Sequence, residues 1–289
     1  MSAAAEWLAT WLAEALGTRV ARLRVVAWGA EEFALIKQAT RSAPAALGEH
    51  AACTRRHLGG NEFVGLLEFL PGISVQGKEA HDRLTAMGPE PLRHFWRGVG
   101  RLIALDALIN NLDRVPLLWN NEGNTGNLLL LPGRGSEEAQ VLGIDQAVTA
   151  IVEGPGRDRY LQRLQKLASA AFRGPKAEQA EAEAGAGEWT VAEGLARTRE
   201  AFEINCLVVP DSEALFEGIR AGLERVAAGW QDGTLREALE AGVAKADEVF
   251  ASATVDVGTK QLPLMRDFVA AAAQVVTQEA AAAQAAAAS

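Results

Sequence analysis

The sequence predicts an α+β protein in which helix far outweighs sheet. Three observations carry that expectation. Apolar residues make up 49% of the 289-residue chain while aromatics make up only 6%, and alanine, the strongest helix former, is abundant. Apolar residues recur at three- and four-residue steps over most of the length, the period of a half-buried helix. Sheet signals are confined to a few short apolar runs, among them FVGLLEFL, LLLL and VLGI, bounded by Gly, Pro and Asn. A chain of this length has room for one large domain or two lobes around a substantial core.

Taken in order, Ala3 to Leu16 reads as a helix, with Trp7, Leu8, Trp11, Leu12 and Ala15 on one stripe and Gly17 as its stop. Leu23 to Trp28 alternates as a strand. Ala30 to Ala39 has helical preferences, so Lys37 reads as a helix lysine, although the run FALIKQ also admits a strand reading with Glu49 as the lysine's partner. Ala43 to Leu58 is a further helix, broken by Gly59 and Gly60, and Phe63 to Leu70 is a strand ending at Pro71 and Gly72. Ser74 to Met87 reads as a linker with weak helix character. Pro89 and Pro91 suit a helix start, and Leu92 to Ile109 shows a stripe of Leu92, Phe95, Val99, Leu102 and Ile103. Two short strands follow, Leu128 to Leu131 and Val141 to Ile144, joined by a hairpin turn at Pro132 to Ser136. Helices are expected over Arg157 to Phe172, Trp189 to Val208, Asp211 to Trp230, Thr234 to Phe250 and Lys260 to Val276. Gly174 to Glu188 is low in complexity and reads as a solvated linker. The Ala/Gln-rich tail, Thr277 to Ser289, is helix-prone but has no apolar face worth burying.

The formal net charge of −9 argues against nucleic-acid or anionic-membrane partners. Cys53 and Cys206 form no metal-ligand spacing and read as buried small hydrophobes in a reducing compartment. The four histidines match no zinc motif. The start lacks a basic segment followed by an apolar block, and no uncharged apolar run reaches about 20 residues. A cytoplasmic protein is expected.

Chemistry concentrates between Asn110 and Gln146. After the helix ends at Asn110 and Asn111 come Asp113 and Arg114, then a Trp/Asn/Gly-rich loop. Asn127 opens one strand, and the next strand delivers Asp145. Asp, then Asn at a strand start, then Asp at a strand end is the order that phosphoryl transfer from Mg-ATP requires. One carboxylate orients the attacking hydroxyl, while an amide oxygen and a second carboxylate hold a hard cation against the phosphates. Asp113 is therefore the candidate base, and Asn127 and Asp145 are the candidate Mg²⁺ ligands. Read residue by residue, each could equally be a turn former bonding its own backbone. Asp106 is either an anchor that hydrogen-bonds this loop or a solvated carboxylate.

The run GRLIALDALINNLDRVPLLWNNEGNTGNLLL, followed by GIDQ, resembles the catalytic segment of the actin-fragmin kinase family. The shared pattern is N-x-D-R-x-P, then G-N-x-x-N before an apolar strand, then Ile-Asp. The resemblance is clearest over Gly98 to Ala147 and weaker over Ala5 to Ser74. It implies a protein-kinase-like fold with a helix-rich C-terminal lobe over 76–276, and an incomplete N-terminal lobe with hinge over 1–75. By the same resemblance Arg114 steadies the catalytic loop. Glu6 takes the place of the helix glutamate that pairs with the ATP lysine, with Glu14 two turns on as the alternative. The backbone of Glu68, Phe69 and Leu70 would meet the adenine edge. Since no G-x-G-x-x-G occurs, the glycine-rich loop and the lysine strand are expected to be absent, and Lys37 is not expected to replace that lysine. The implied activity is transfer of the ATP γ-phosphate to a Ser/Thr hydroxyl of a protein, with actin or an actin complex suggested by the family name alone. Two other readings stand beside it: a pseudokinase or nucleotide-binding module without turnover, and a helical scaffold that binds no nucleotide.

Overall fold

The computed structural model describes residues 2–43, 48–60, 62–131, 140–173, 189–251, 253 and 256–288. Among them are the helices α1 (Ala3–Ala15), α2 (Glu31–Arg41), α3 (Gly48–Gly60), α4 (Lys78–Thr85), α5 (Pro89–Ile109), α6 (Pro155–Arg173), α7 (Val191–Cys206), α8 (Ser212–Gln231), α9 (Thr234–Val249) and α10 (Leu262–Ala288). The strands are β1 (Leu23–Ala27), β2 (Phe63–Leu67), β3 (Ile73–Ser74), β4 (Leu128–Leu131) and β5 (Gln140–Gly143). The architecture is α+β and helix-rich.

Helix α5 is the spine. Phe95, Trp96, Val99, Leu102, Ile103, Leu105, Leu108 and Ile109 are all buried. At about 1.5–3 kcal/mol for each large apolar side chain removed from water, this burial outweighs anything helix propensity alone supplies. The helix ends because Asn110 takes a left-handed conformation, φ +53°, which Asn tolerates better than most residues. Its most extensive packing is on α8, and two glycines set the distance. A Cβ on Gly100 would lie 2.1 Å from the Leu215 carbonyl oxygen, and one on Gly218 would lie 2.2 Å from that of Arg97. Neither backbone can yield, so Gly218→Ala should cost about 2–3 kcal/mol, the upper part of the overpacking range. Urea unfolding of the two proteins measures this, and a loss below about 0.5 kcal/mol would mean the helices slide apart freely.

Two small antiparallel sheets flank the spine. β1 pairs with β2, Leu23 opposite Leu67 and Ala27 opposite Phe63. One face of this pair is covered by α2 and α3 through Val26, Phe33, Leu58, Ile36, Val64 and Leu66. The second sheet runs β3-β4-β5, with Leu128 opposite Gly143. The expected hairpin turn at Pro132 to Ser136 and the expected linker at Gly174 to Glu188 lie outside the described residues.

Several expectations need correction. The strand expected from Phe63 to Leu70 stops at Leu67, because Pro71 and Gly72 follow closely and Phe69 swings out, 90% exposed. Ser74 to Met87 is not a linker: Ile73 and Ser74 pair with Leu130 and Leu129, and α4 follows. That strand is too short to carry a period and forms only because β4 supplies an edge. The helix begun at Leu262 does not end at Val276 but continues to Ala288. Glu279 accepts hydrogen bonds from Gln165 (2.8 Å) and Arg173 (3.2 Å), and Ala280 is buried beside it. A polar residue thus anchors a stretch without an apolar stripe. Cys53 is exposed, against expectation, while Cys206 is buried. No helix among the described residues is long and apolar enough to cross a membrane.

Candidate active site

The loop that leaves α5 is held from below by one side chain. Arg114 is 0% exposed. Its guanidinium donates to Asp106 Oδ1 on α5, to the Asn127 carbonyl at 3.4 Å, to the Ile144 carbonyl at 3.1 Å and to Gln146 Oε1 at 3.4 Å. It therefore ties together the helix end, the start of β4 and the residues after β5. Gly143 leaves the space for this, since a Cβ there would meet Arg114 Nη2 at 2.8 Å. Asp106 is buried, which resolves its two readings in favour of the anchor. It also accepts from Asn111 Nδ2 at 2.9 Å. Burial pushes the Asp106 carboxyl up, and the charge of Arg114 with the Asn111 amide pulls it down.

Above this rivet lies the reactive edge. Asn127 Nδ2 donates to Asp113 Oδ2 at 2.5 Å, and Asn124 Nδ2 reaches the same oxygen at 3.4 Å. With its amide nitrogen committed to Asp113, the Asn127 amide oxygen remains as an acceptor. The Ile144 amide donates to the Asn127 carbonyl at 3.0 Å, so Asp145 emerges from β5 beside Asn127. Asp145 is exposed and left-handed, φ +56°, a conformation uncommon for a residue with a side chain and one that turns the chain sharply at this point.

Helix α1 closes the other side. Thr10 Oγ1 accepts from Gln146 Nε2 at 2.9 Å, and the Val148 amide donates to the Ala5 carbonyl. Glu6 is partly buried, and its carboxyl is pushed up by burial first and by the negative charge of Asp145 second. Glu14 is exposed and lies 4.0 Å from Arg22, so of the two candidate glutamates Glu6 is the one facing Asp145. Lys37 sits on α2 with its ammonium 4.9 Å from the centre of the Trp28 ring, the place of a helix lysine and not of a strand lysine. In the expected hinge, the Glu68 amide is consumed by the Arg22 carbonyl at 2.9 Å. The Phe69 and Leu70 amides find no acceptor among the described residues.

Among the described residues, no three of His, Cys, Asp and Glu group closely enough to hold a metal by themselves. Mg²⁺ is commonly held by one or two protein carboxylates together with substrate phosphates and water, and one carboxylate with one amide oxygen is the set that Asp145 and Asn127 supply.

A family model described as the catalytic domain of actin-fragmin kinase matches residues 1–146, half of the chain. The chain belongs to the actin-fragmin kinase catalytic family. No curated protein matches it. The match stops one residue past Asp145, so the part shared with the actin-fragmin kinase model holds α1, residues 68–70 of the expected hinge, Asp113, Asn127 and Asp145. Helices α6 to α10 lie beyond it. Sequence reasoning assigned no role to Gln146 or Thr10. The only available signals were a Gln following Asp145 and a polar break in the apolar stripe of α1, and neither is distinctive alone.

Proposed function

We propose that this chain transfers the γ-phosphoryl group of Mg-ATP to a Ser/Thr hydroxyl of an acceptor protein. The observation that carries the reading is the Asp113–Asn127 contact at 2.5 Å, set one β-ladder step from Asp145. It joins the candidate base to one of the candidate metal ligands, and the Ile144 amide on the Asn127 carbonyl sets the other in the next residue along. Asp113, partly exposed, would orient the acceptor hydroxyl and take its proton. Asn127 Oδ1 and the Asp145 carboxylate would hold Mg²⁺, which supplies charge neutralisation at the phosphates. Arg114 touches no substrate; it positions the backbone on which these groups stand. The free amides of Phe69 and Leu70 would meet the adenine edge. Actin or an actin complex as acceptor rests on the family name alone.

The test is calorimetric titration of the whole chain with ATP, with and without Mg²⁺, beside Asp145→Ala and an assay of phosphate transfer. The wild type should bind ATP in a Mg²⁺-dependent way, and the variant should bind at least about tenfold more weakly, ~1.4 kcal/mol. Absence of Mg-ATP binding in the wild type, or unchanged binding in Asp145→Ala, removes the assignment. One observation favours a second reading, nucleotide binding without turnover: among the described residues no cation pairs with Glu6, where an ATP lysine would sit. Mg-ATP binding with no transfer to any acceptor would select it.

A further inference from the structure

Helices α6 and α7 carry three arginines, Arg159 and Arg163 on α6 and Arg197 on α7, and the charges of the other two are felt at Arg163. Arg163 lies with its guanidinium carbon 5.2 Å from the centre of the Trp119 ring and 5.7 Å from that of Trp189, and it donates to the Leu118 carbonyl. Burial, and then the charges of Arg197 and Arg159, push its pKa down, and Glu193 opposes them. Arg159 spends Nε on the Pro155 carbonyl at 3.2 Å. Arg197 is partly exposed, yet its Nε and Nη2 are buried with no hydrogen-bond partner among the described residues. Among the described residues the carboxylate felt at Arg163 is that of Glu193, which already caps its own helix by accepting from the Thr190 amide at 3.1 Å.

Three positive charges with one committed carboxylate are an odd arrangement for a chain of net charge −9. Like charges repel, and each buried donor without an acceptor carries an uncompensated desolvation penalty. Core packing does not require this, because a neutral side chain could fill the space beside Trp119 and Trp189. A fixed oxyanion would offset both costs, since forked guanidinium groups match carboxylate and phosphate geometry. The rings hold Arg163 in place before any ligand arrives. The backbone between the cluster and the base is short: Leu117 and Leu118, whose carbonyls accept from Trp189 (3.2 Å) and Arg163, follow closely after Asp113.

We propose that Arg159, Arg163 and Arg197 form an anion subsite that binds an acidic group of the acceptor protein, a carboxylate or a phosphate already present, close to the hydroxyl to be modified. The subsite rests on the phosphotransfer reading of Asp113 for its purpose, but not for its chemistry. It gives the acceptor a charge signature that the catalytic residues themselves do not read.

Three serine-containing peptides of one sequence test it, carrying glutamates, phosphoserines or glutamines beside the target serine, titrated calorimetrically into the full chain at low salt. The glutamate and phosphoserine peptides should bind, and the glutamine peptide should bind at least about tenfold more weakly. Arg197→Gln should weaken the acidic peptides about tenfold, and the exposed Arg159→Gln about threefold, with Mg-ATP affinity unchanged in both. A phosphoserine preference above about tenfold assigns a previously phosphorylated acceptor, and equal affinity assigns an acidic sequence. The proposal is overturned if the glutamine peptide binds as tightly, if both variants keep full peptide affinity, or if they lose Mg-ATP affinity instead. Titration of the wild type with Mg-ATP beside the peptides separates the two readings. Acidic-peptide binding that survives where the wild type binds no Mg-ATP leaves the subsite standing while phosphotransfer fails. Transfer that is indifferent to acidic residues sinks the subsite alone.

Discussion

Asp113→Asn should lower the rate of phosphate transfer by about 10²–10⁴, the range that a positioned general base supplies, while Mg-ATP affinity stays within about threefold. The substitution is nearly isosteric, and an Asn at 113 still offers an oxygen to Asn127 Nδ2, so the 2.5 Å contact has a replacement. Asp145 and its connection through Ile144 to Asn127 are untouched. What disappears is the negative charge and the capacity to take a proton. The readout is therefore a split: kcat falls while nucleotide binding does not. An Asp113→Asn enzyme with more than about a third of wild-type kcat would remove Asp113 from the chemistry, since losing a working base costs at least about 10².

Arg114→Met should be the most damaging single change for stability, at about 3–5 kcal/mol, because it leaves a buried carboxylate without its counter-charge. Met keeps the length and apolar bulk of the side chain, so the loss isolates the missing charge and hydrogen bonds rather than a cavity. Those bonds include the ones to the Asn127 and Ile144 carbonyls, so transfer should fall as well, although Arg114 meets no substrate. The pH dependence follows from Asp106. Burial already pushes its carboxyl up, and without Arg114 nothing of opposite charge holds it down. A carboxyl whose folded pKa is raised favours the fold when protonated and loses that contribution as pH rises through the folded value. The deficit of Arg114→Met should therefore be larger at pH 7 than nearer the ordinary aspartate pKa of about 3.9. Adding Asp106→Asn should recover part of it by removing the unpaired charge. Urea unfolding of the three proteins at both ends of that range decides the matter. A deficit independent of pH, with no recovery in the double variant, would show that Asp106 and Arg114 act separately.

Much of the skeleton was legible because it is local. The stripe on α5, the Asn that ends it and the two short apolar strands all follow from spacing within one element. Interactions between elements were not legible. A stripe count sees no reason for α10 to run past Val276, because Gln165, Arg173 and Glu279 are polar. Ile73 and Ser74 have no strand period of their own and pair only once β4 lies beside them. The exposure of Cys53 depends on how α3 is laid against α2, and no period specifies that.

The same division runs through the candidate site. By itself, the sequence determined the order and backbone setting of Asp113, Asn127 and Asp145, since a helix stop, a turn and strand alternation are written in neighbouring residues. Only the tertiary structure decided that Arg114 would be the buried tie among Asp106, Asn127, Ile144 and Gln146, and that Glu6 rather than Glu14 would face Asp145. A guanidinium is as compatible with solvent as with a buried carboxylate. Which it meets depends on surfaces brought together from distant parts of the chain, where the cost of burying a charge is offset only by a partner that arrives with the fold.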